Sequence, residues 1–175
     1  MGERQMSIRC FHRALAVAAF LAAGGAAGAE EPDFLSFGAG YFDFNRQKDA
    51  GAEFRLEYRS RVRLGPLKPF AAVSGSTSGH YLFSGGVLMD LFFGRRVVVT
   101  PSFAPGYYTG GNSELDLGHE LEFRSQIEFA YRFDDRSRLG LAVSHTSNAS
   151  IADNNPGSES VILYYSVPVE SLFGE

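Results

Sequence analysis

From Asp33 onward the chain is written with a period of two, and few patterns restrict a fold so sharply. Over residues 51–63 the even positions Phe54, Leu56, Tyr58 and Val62 are apolar. The odd positions Glu53, Arg55, Glu57, Arg59, Arg61 and Arg63 are charged. Over residues 117–133 the odd positions Leu117, Leu121, Phe123, Ile127, Phe129, Tyr131 and Phe133 are apolar. The even positions Glu120, Glu122, Arg124, Gln126, Glu128 and Arg132 are polar. Side chains alternate faces along a strand, so each segment has one apolar and one charged face. The 16 Phe, 8 Tyr and 20 Gly agree with many strands and little helix.

Alternation alone fits a soluble sandwich or an outer-membrane barrel. In the barrel the apolar face meets lipid and the polar face fills the interior. The start of the chain helps to decide. Arg4, Arg9 and Arg13 make a basic beginning, residues 14–29 carry no charge, and Ala27-Gly28-Ala29 is a small-x-small cleavage pattern followed by Glu30-Glu31. This reads as a secretory signal over residues 1–29, with a single barrel domain over 30–175. Removing 29 of the 175 residues leaves 146, with 19 acids against 13 bases, a net charge of −6. The only cysteine, Cys10, leaves with the signal, so the mature chain has no thiol nucleophile and no disulfide. No other apolar run is long enough for a membrane helix. The acidic balance gives no reason to expect nucleic acid as a partner.

The segments also run long, against ~5–6 residues for an ordinary strand. Their polar face mixes acids with arginines, which suits a narrow barrel packed with ion pairs. The sequence predicts an all-β, eight-stranded antiparallel transmembrane β-barrel. Its strands fall near 33–45, 50–63, 67–76, 80–93, 96–108, 117–133, 136–147 and 158–168. Gly65-Pro66, Gly94-Arg95 and Asp134-Asp135 mark tight turns on one side. The longer connections near 46–49, 109–116 and 148–157 lie on the other, with 77–79. Sixteen strands of ~11 residues would need about 176 residues, so a general porin is excluded. Pro101 and Pro105 suit a lipid-exposed strand with irregular pairing. The chain ends Val169-Glu-Ser-Leu-Phe-Gly-Glu175, so Phe173 is close to the end without being the aromatic last residue that such barrels often carry.

The run Leu141-Ala-Val-Ser-His-Thr-Ser-Asn-Ala-Ser-Ile151 changes character along one face. Leu139, Leu141 and Val143 lie on the lipid side, and the same parity carries His145 and Ser147 there, with Thr146 inward. In the last segment Glu159 shares its face with Val161, Leu163, Tyr165 and Val167. The two strands are antiparallel neighbours, so Glu159 can approach His145. Imidazole beside hydroxyl is the pair used for nucleophilic acyl transfer, and polar groups on a lipid face are costly. On spacing alone, the same residues could equally lie idle in the wet rim.

The run His145-Thr146-Ser147-Asn148-Ala149-Ser150-Ile151, followed by Asn155-Pro156-Gly157-Ser158-Glu159, resembles the PagL family of outer-membrane lipid A 3-O-deacylases and their acyloxyacyl hydrolase-named relatives. Leu121-Glu122-Phe123-Arg124-Ser125 and the stretch 131–140 resemble it too, so close resemblance covers roughly 117–167. The resemblance implies a Ser–His–Glu triad on the membrane-facing side of the barrel. Residue by residue, Ser147 is then the nucleophile, His145 the base and Glu159 its orienter. Asn148 matches a residue helping to form the oxyanion hole, with a backbone N–H near Ala149 or Ser150 as second donor. Asn155 matches a loop residue supporting the site.

The implied protein is a carboxylic ester hydrolase of the bacterial outer membrane. It removes the 3-O-linked hydroxyacyl chain from lipid A of lipopolysaccharide and works among outer-membrane lipids. The alternatives are a phospholipase with the same triad and a non-catalytic anchor or adhesin. A homodimer is compatible with such a wall. His12 leaves with the signal, and His80 and His119 read as interfacial residues. No metal-ligand spacing or nucleotide fingerprint calls for a metal or an organic cofactor: His145, Asp153 and Glu159 have no known ligand spacing, and Gly38-Ala39-Gly40 precedes no helix.

Overall fold

A computed structural model describes residues 31–110 and 116–174, so the expected signal segment over 1–29, with Cys10 and His12, lies outside the described residues. The strands are β1 (Phe34–Phe42), β2 (Gly51–Arg59), β3 (Lys68–Ser76) and β4 (His80–Leu88, resuming as Leu91–Phe93). They continue as β5 (Val97–Gly110), β6 (Leu121–Arg132), β7 (Arg138–Ser147) and β8 (Ser158–Pro168), followed by a short helix α1 (Val169–Phe173). Each strand pairs antiparallel with the next, and β8 returns to β1 with Phe34 opposite Pro168, so the sheet closes into an eight-stranded barrel. Closure leaves no sheet edge unpaired in lipid.

The break in β4 comes from its neighbour. The register across β4 and β5 is the same on both sides of the break, with Leu88 opposite Ser102 and Leu91 opposite Val99. That register puts Pro101 against Met89 and Pro105 against Gly85. Proline has no N–H to give the ladder, so the pairing lapses there. One bond survives, from Met89 N–H to the carbonyl of Pro101 at 3.1 Å. At the break Asp90 turns inward and accepts from Lys68 Nζ at 2.6 Å, Arg138 Nη1 at 2.9 Å and Thr100 Oγ1 at 2.7 Å.

The predicted parity holds through the wall. In β2, Glu53, Arg55, Glu57 and Arg59 are buried, while Phe54, Leu56 and Tyr58 are exposed. Inside, Glu57 accepts hydrogen bonds from Arg124 at 2.8 Å, Tyr164 at 2.8 Å and Arg59 at 3.0 Å. Arg59 also reaches Glu128 at 2.6 Å. Arg55 donates to Glu53, Gln126 and Ser144. A buried charge is tolerated when it is paired and hydrogen-bonded, and this network meets that condition across four strands.

The loop end differs from expectation in two places. Leu117 does not begin a lipid-facing strand: β6 starts at Leu121, and Leu117 folds inward against Phe42, Leu82 and Tyr108. These four side chains form an apolar plug across the outer mouth. His80 is not interfacial but 3% exposed. It shares the inward parity of Leu82, and its ring nitrogens meet Asp49 and Tyr108. His119 stays exposed and accepts the Leu121 N–H at 2.8 Å. At the opposite end Gly65 takes φ +67° in its turn, and Val169 N–H bonds to the Asp33 carbonyl, bringing the described ends together. Phe173 in α1 is exposed.

Candidate active site

The outward face of β7 runs Leu139, Leu141, Val143, all exposed, and then His145 and Ser147 toward the loop end. Across the β7–β8 hairpin His145 pairs directly with Glu159. Its Nδ1 lies 3.0 Å from Glu159 Oε1. An ionised carboxylate only accepts, so for a neutral imidazole this contact selects the tautomer with the proton on Nδ1 and the lone pair on Nε2. The His145 side chain is 49% exposed and that of Glu159 21%, so the pair stands on the outer surface of the wall.

The ring is aimed by its neighbours. Continuing the Thr146–Ser158 register by one pair sets Gly157 opposite Ser147. A Cβ on Gly157 would lie 2.7 Å from His145 Cε1 and 3.5 Å from Nε2. The Cε1–Nε2 edge is therefore turned toward the row that holds Ser147. Gly157 also has φ +67°, a conformation that other residues rarely adopt. Sequence reasoning quoted Gly157 without a role; its signal was the Pro156-Gly157 pair immediately before a strand. Thr146 faces the other way and lines an interior space with Glu53, Arg55 and Ser160.

Above Ser147 the chain turns back sharply. Ile151 N–H bonds to the Asn148 carbonyl at 3.1 Å, with Ala149 and Ser150 both at positive φ (54° and 63°). Non-glycine residues sit there only when their surroundings hold them. Asn148 supplies that hold. It is fully buried, its Nδ2 donates to the carbonyls of Leu117 and Asn154 at 2.8 Å each, and its N–H goes to Asn155 Oδ1 at 3.0 Å. Asn155 Nδ2 reaches Ser150 Oγ at 3.4 Å. The Asn148 amide hydrogens are thus spent on the loop and on the neighbouring connection at Leu117. The N–H groups of Ala149 and Ser150 have no hydrogen-bond partner among the described residues. The arrangement joins His145 to Glu159 and sets Ser147 on the same outward face with no hydrogen bond from its hydroxyl to the ring, with Ala149 and Ser150 next along the chain and Asn148 and Asn155 as the loop's frame.

No group of His, Cys, Asp and Glu among the described residues is arranged to hold a metal ion. The groups present are suited to proton transfer and nucleophilic attack at a carbonyl.

A closed, charge-filled barrel with an apolar wall is the architecture of a small outer-membrane protein. Residues 69–168 match the family model described as lipid A 3-O-deacylase (PagL), and the chain belongs to that family. Among solved structures it is similar to the outer-membrane enzyme PagL, with 20% identity over 78% of this chain and 99% of that one and a TM-score of 0.61. The Yersinia pestis outer-membrane protein Ail in a phospholipid bilayer nanodisc also matches, at 11% identity over 78% and 99% with a TM-score of 0.46. No curated protein matches. Family and fold together suggest an outer-membrane location.

Proposed function

We propose that the chain is exported by residues 1–29, released after Ala29, and acts in the outer membrane as an esterase. It removes the 3-O-linked hydroxyacyl chain from lipid A of lipopolysaccharide. The observation that carries this reading is the His145 Nδ1–Glu159 Oε1 contact at 3.0 Å beside Ser147, on the lipid face. An ion-pair-like contact there does nothing for the interior network and has no packing role. A non-catalytic anchor has no use for it.

In the proposed reaction Ser147 Oγ attacks the ester carbonyl while His145 Nε2 takes its proton. The carbonyl oxygen becomes an oxyanion, for which the N–H groups of Ala149 and Ser150 are available. Asn148 and Asn155 position those donors and do not touch the substrate. The C–O bond to the sugar then breaks, and the sugar oxygen leaves with the proton from His145. Water, activated by the same imidazole, hydrolyses the acyl-serine and frees the fatty acid. Glu159 orients the ring and stabilises the imidazolium in both halves. The substrate reaches the wall by lateral diffusion, its chains already in hydrocarbon, so no deep pocket is required.

Mass spectrometry of lipid A from cells producing the protein tests this. Wild type should remove one hydroxyacyl chain, and Ser147→Ala, inserted equally well, should remove none. Lipid A of identical mass with wild type and without it overturns the proposal.

A further inference from the structure

The outward faces of all eight strands carry few polar side chains. Tyrosines aside, they are Thr109 at the outer end of β5, then Ser125, His145, Ser147 and Glu159. The last three are the proposed triad. Of the other two, Thr109 ends its strand at the outer rim, and Ser125 lies within the wall beside the triad. It pairs across β6–β7 directly with His145, which in turn pairs with Glu159. On β6 it interrupts the outward column Leu121, Phe123, Ile127, Phe129 and Tyr131. It is exposed and takes no part in the interior network. A hydroxyl facing hydrocarbon without a partner is costly, so its position beside the site calls for a ligand group.

The depth of Ser125 says which group. The β6–β7 register sets Phe123 opposite Ser147 and Ser125 opposite His145. Ser125 is therefore one row further from the loop end than the proposed nucleophile, on the side toward which an acyl chain descends. Strand geometry puts Ser125 about 8 Å diagonally from Ser147. A carbonyl carbon at Ser147, two more chain carbons and one hydrogen bond bridge that span.

We propose that Ser125 is a specificity residue whose hydroxyl pairs with the hydroxyl on C3 of the acyl chain being released. The stacked pair Phe103 and Phe123, with ring centroids 5.9 Å apart, flanks the same path on the β5 side and offers apolar surface to the chain. A plain acyl chain leaves Ser125 unpaired in hydrocarbon, and a site built to bond a substrate hydroxyl discriminates against the analogue lacking it. This inference rests on the esterase reading above and adds the residue that reads the hydroxyl of the released chain.

The test uses the full mature protein in detergent micelles with two synthetic 3-O-acyl glucosamine lipids, alike except for a hydroxyl on C3 of the acyl chain. Wild type should favour the hydroxylated ester by about tenfold in kcat/KM. Ser125→Ala should lose that preference by slowing the hydroxylated ester about tenfold while leaving the plain ester within about twofold. Ser125→Thr should restore part of it. An unchanged ratio in Ser125→Ala, or equal losses on both esters, overturns the proposal while leaving the esterase standing. No turnover by wild type, or full activity in Ser147→Ala, overturns the esterase reading and this inference with it.

Discussion

Two sets of polar side chains leave water in this barrel, and they meet opposite conditions. Inside, Glu57 is buried and satisfied by Arg59, Arg124 and Tyr164. Around Glu57 the charges neutralise one another, whereas Glu122, on the same inner face, is buried with neither oxygen hydrogen-bonded. On the wall, His145 has one partner, Glu159, whose other oxygen is buried with none. Ser147 and Ser125 offer hydroxyls outward. The interior set is shut off from what lies outside the wall. The wall set adds little to stability and is oriented toward what lies outside. Where the same residue types occur on both faces, the direction they face separates structure from function.

The largest effect should come from the wall. Ser147→Ala is expected to reduce deacylation by about 10⁴-fold or more, because the members of a triad act as a unit. His145→Ala should follow it closely, and Glu159→Ala should keep more residual activity than either. All three should retain the wild-type unfolding midpoint in urea, and a shift there would erase the contrast. The interior makes the opposite demand. Glu57→Ala leaves the Arg124 guanidinium without its ion-pair partner and is expected to destabilise the barrel by about 3–5 kcal/mol. Urea titration in micelles should show this loss, while the molecules still folded turn over substrate at the wild-type rate.

Gly157→Ala sharpens the boundary between the two regions. The new Cβ would meet His145 Cε1 at 2.7 Å and sit at φ +67°. A displaced imidazole should lower kcat by about 10–100-fold, as misplacement by an ångström does, with a stability loss of about 1–2 kcal/mol. Steady-state kinetics should place the change in kcat with KM nearly constant. Thr146→Val should have the smallest effect. It lies between His145 and Ser147 in sequence but faces the interior, so activity should stay within about twofold and stability within about 1 kcal/mol. A dead Thr146→Val enzyme would mean that the two faces are not separate.

The wall was legible because it repeats. Side-chain parity is set by the pleat, so Glu53 to Arg59 inside and Phe54 to Tyr58 outside follow from the letters alone. The same parity brought His145, Ser147 and Glu159 to one face. It worked less well where the strand gives way to loop. Leu117 and His80 took their places from a plug that forms only when distant strands converge, and no local period records it. The break in β4 was written in the prolines of β5, on the other side of a hairpin. Asn148 illustrates a further limit: a motif can mark a residue as part of a site, but only geometry shows that its amide holds the loop.

His145 and Glu159 lie fourteen positions apart in sequence, in one hairpin that also contains Ser147, Gly157 and the loop between them. The residues proposed to act on the ester therefore lie in one short hairpin, while the rest of the barrel supplies a wall, the Leu117 carbonyl that anchors Asn148, and the single serine proposed to choose the chain. Transplanting residues 138–168 together with residues 116–120, whose carbonyls hold Asn148 and Asn154, into an inert barrel of equal strand number would test this. The graft should bring ester cleavage with it and leave the preference for hydroxylated chains behind.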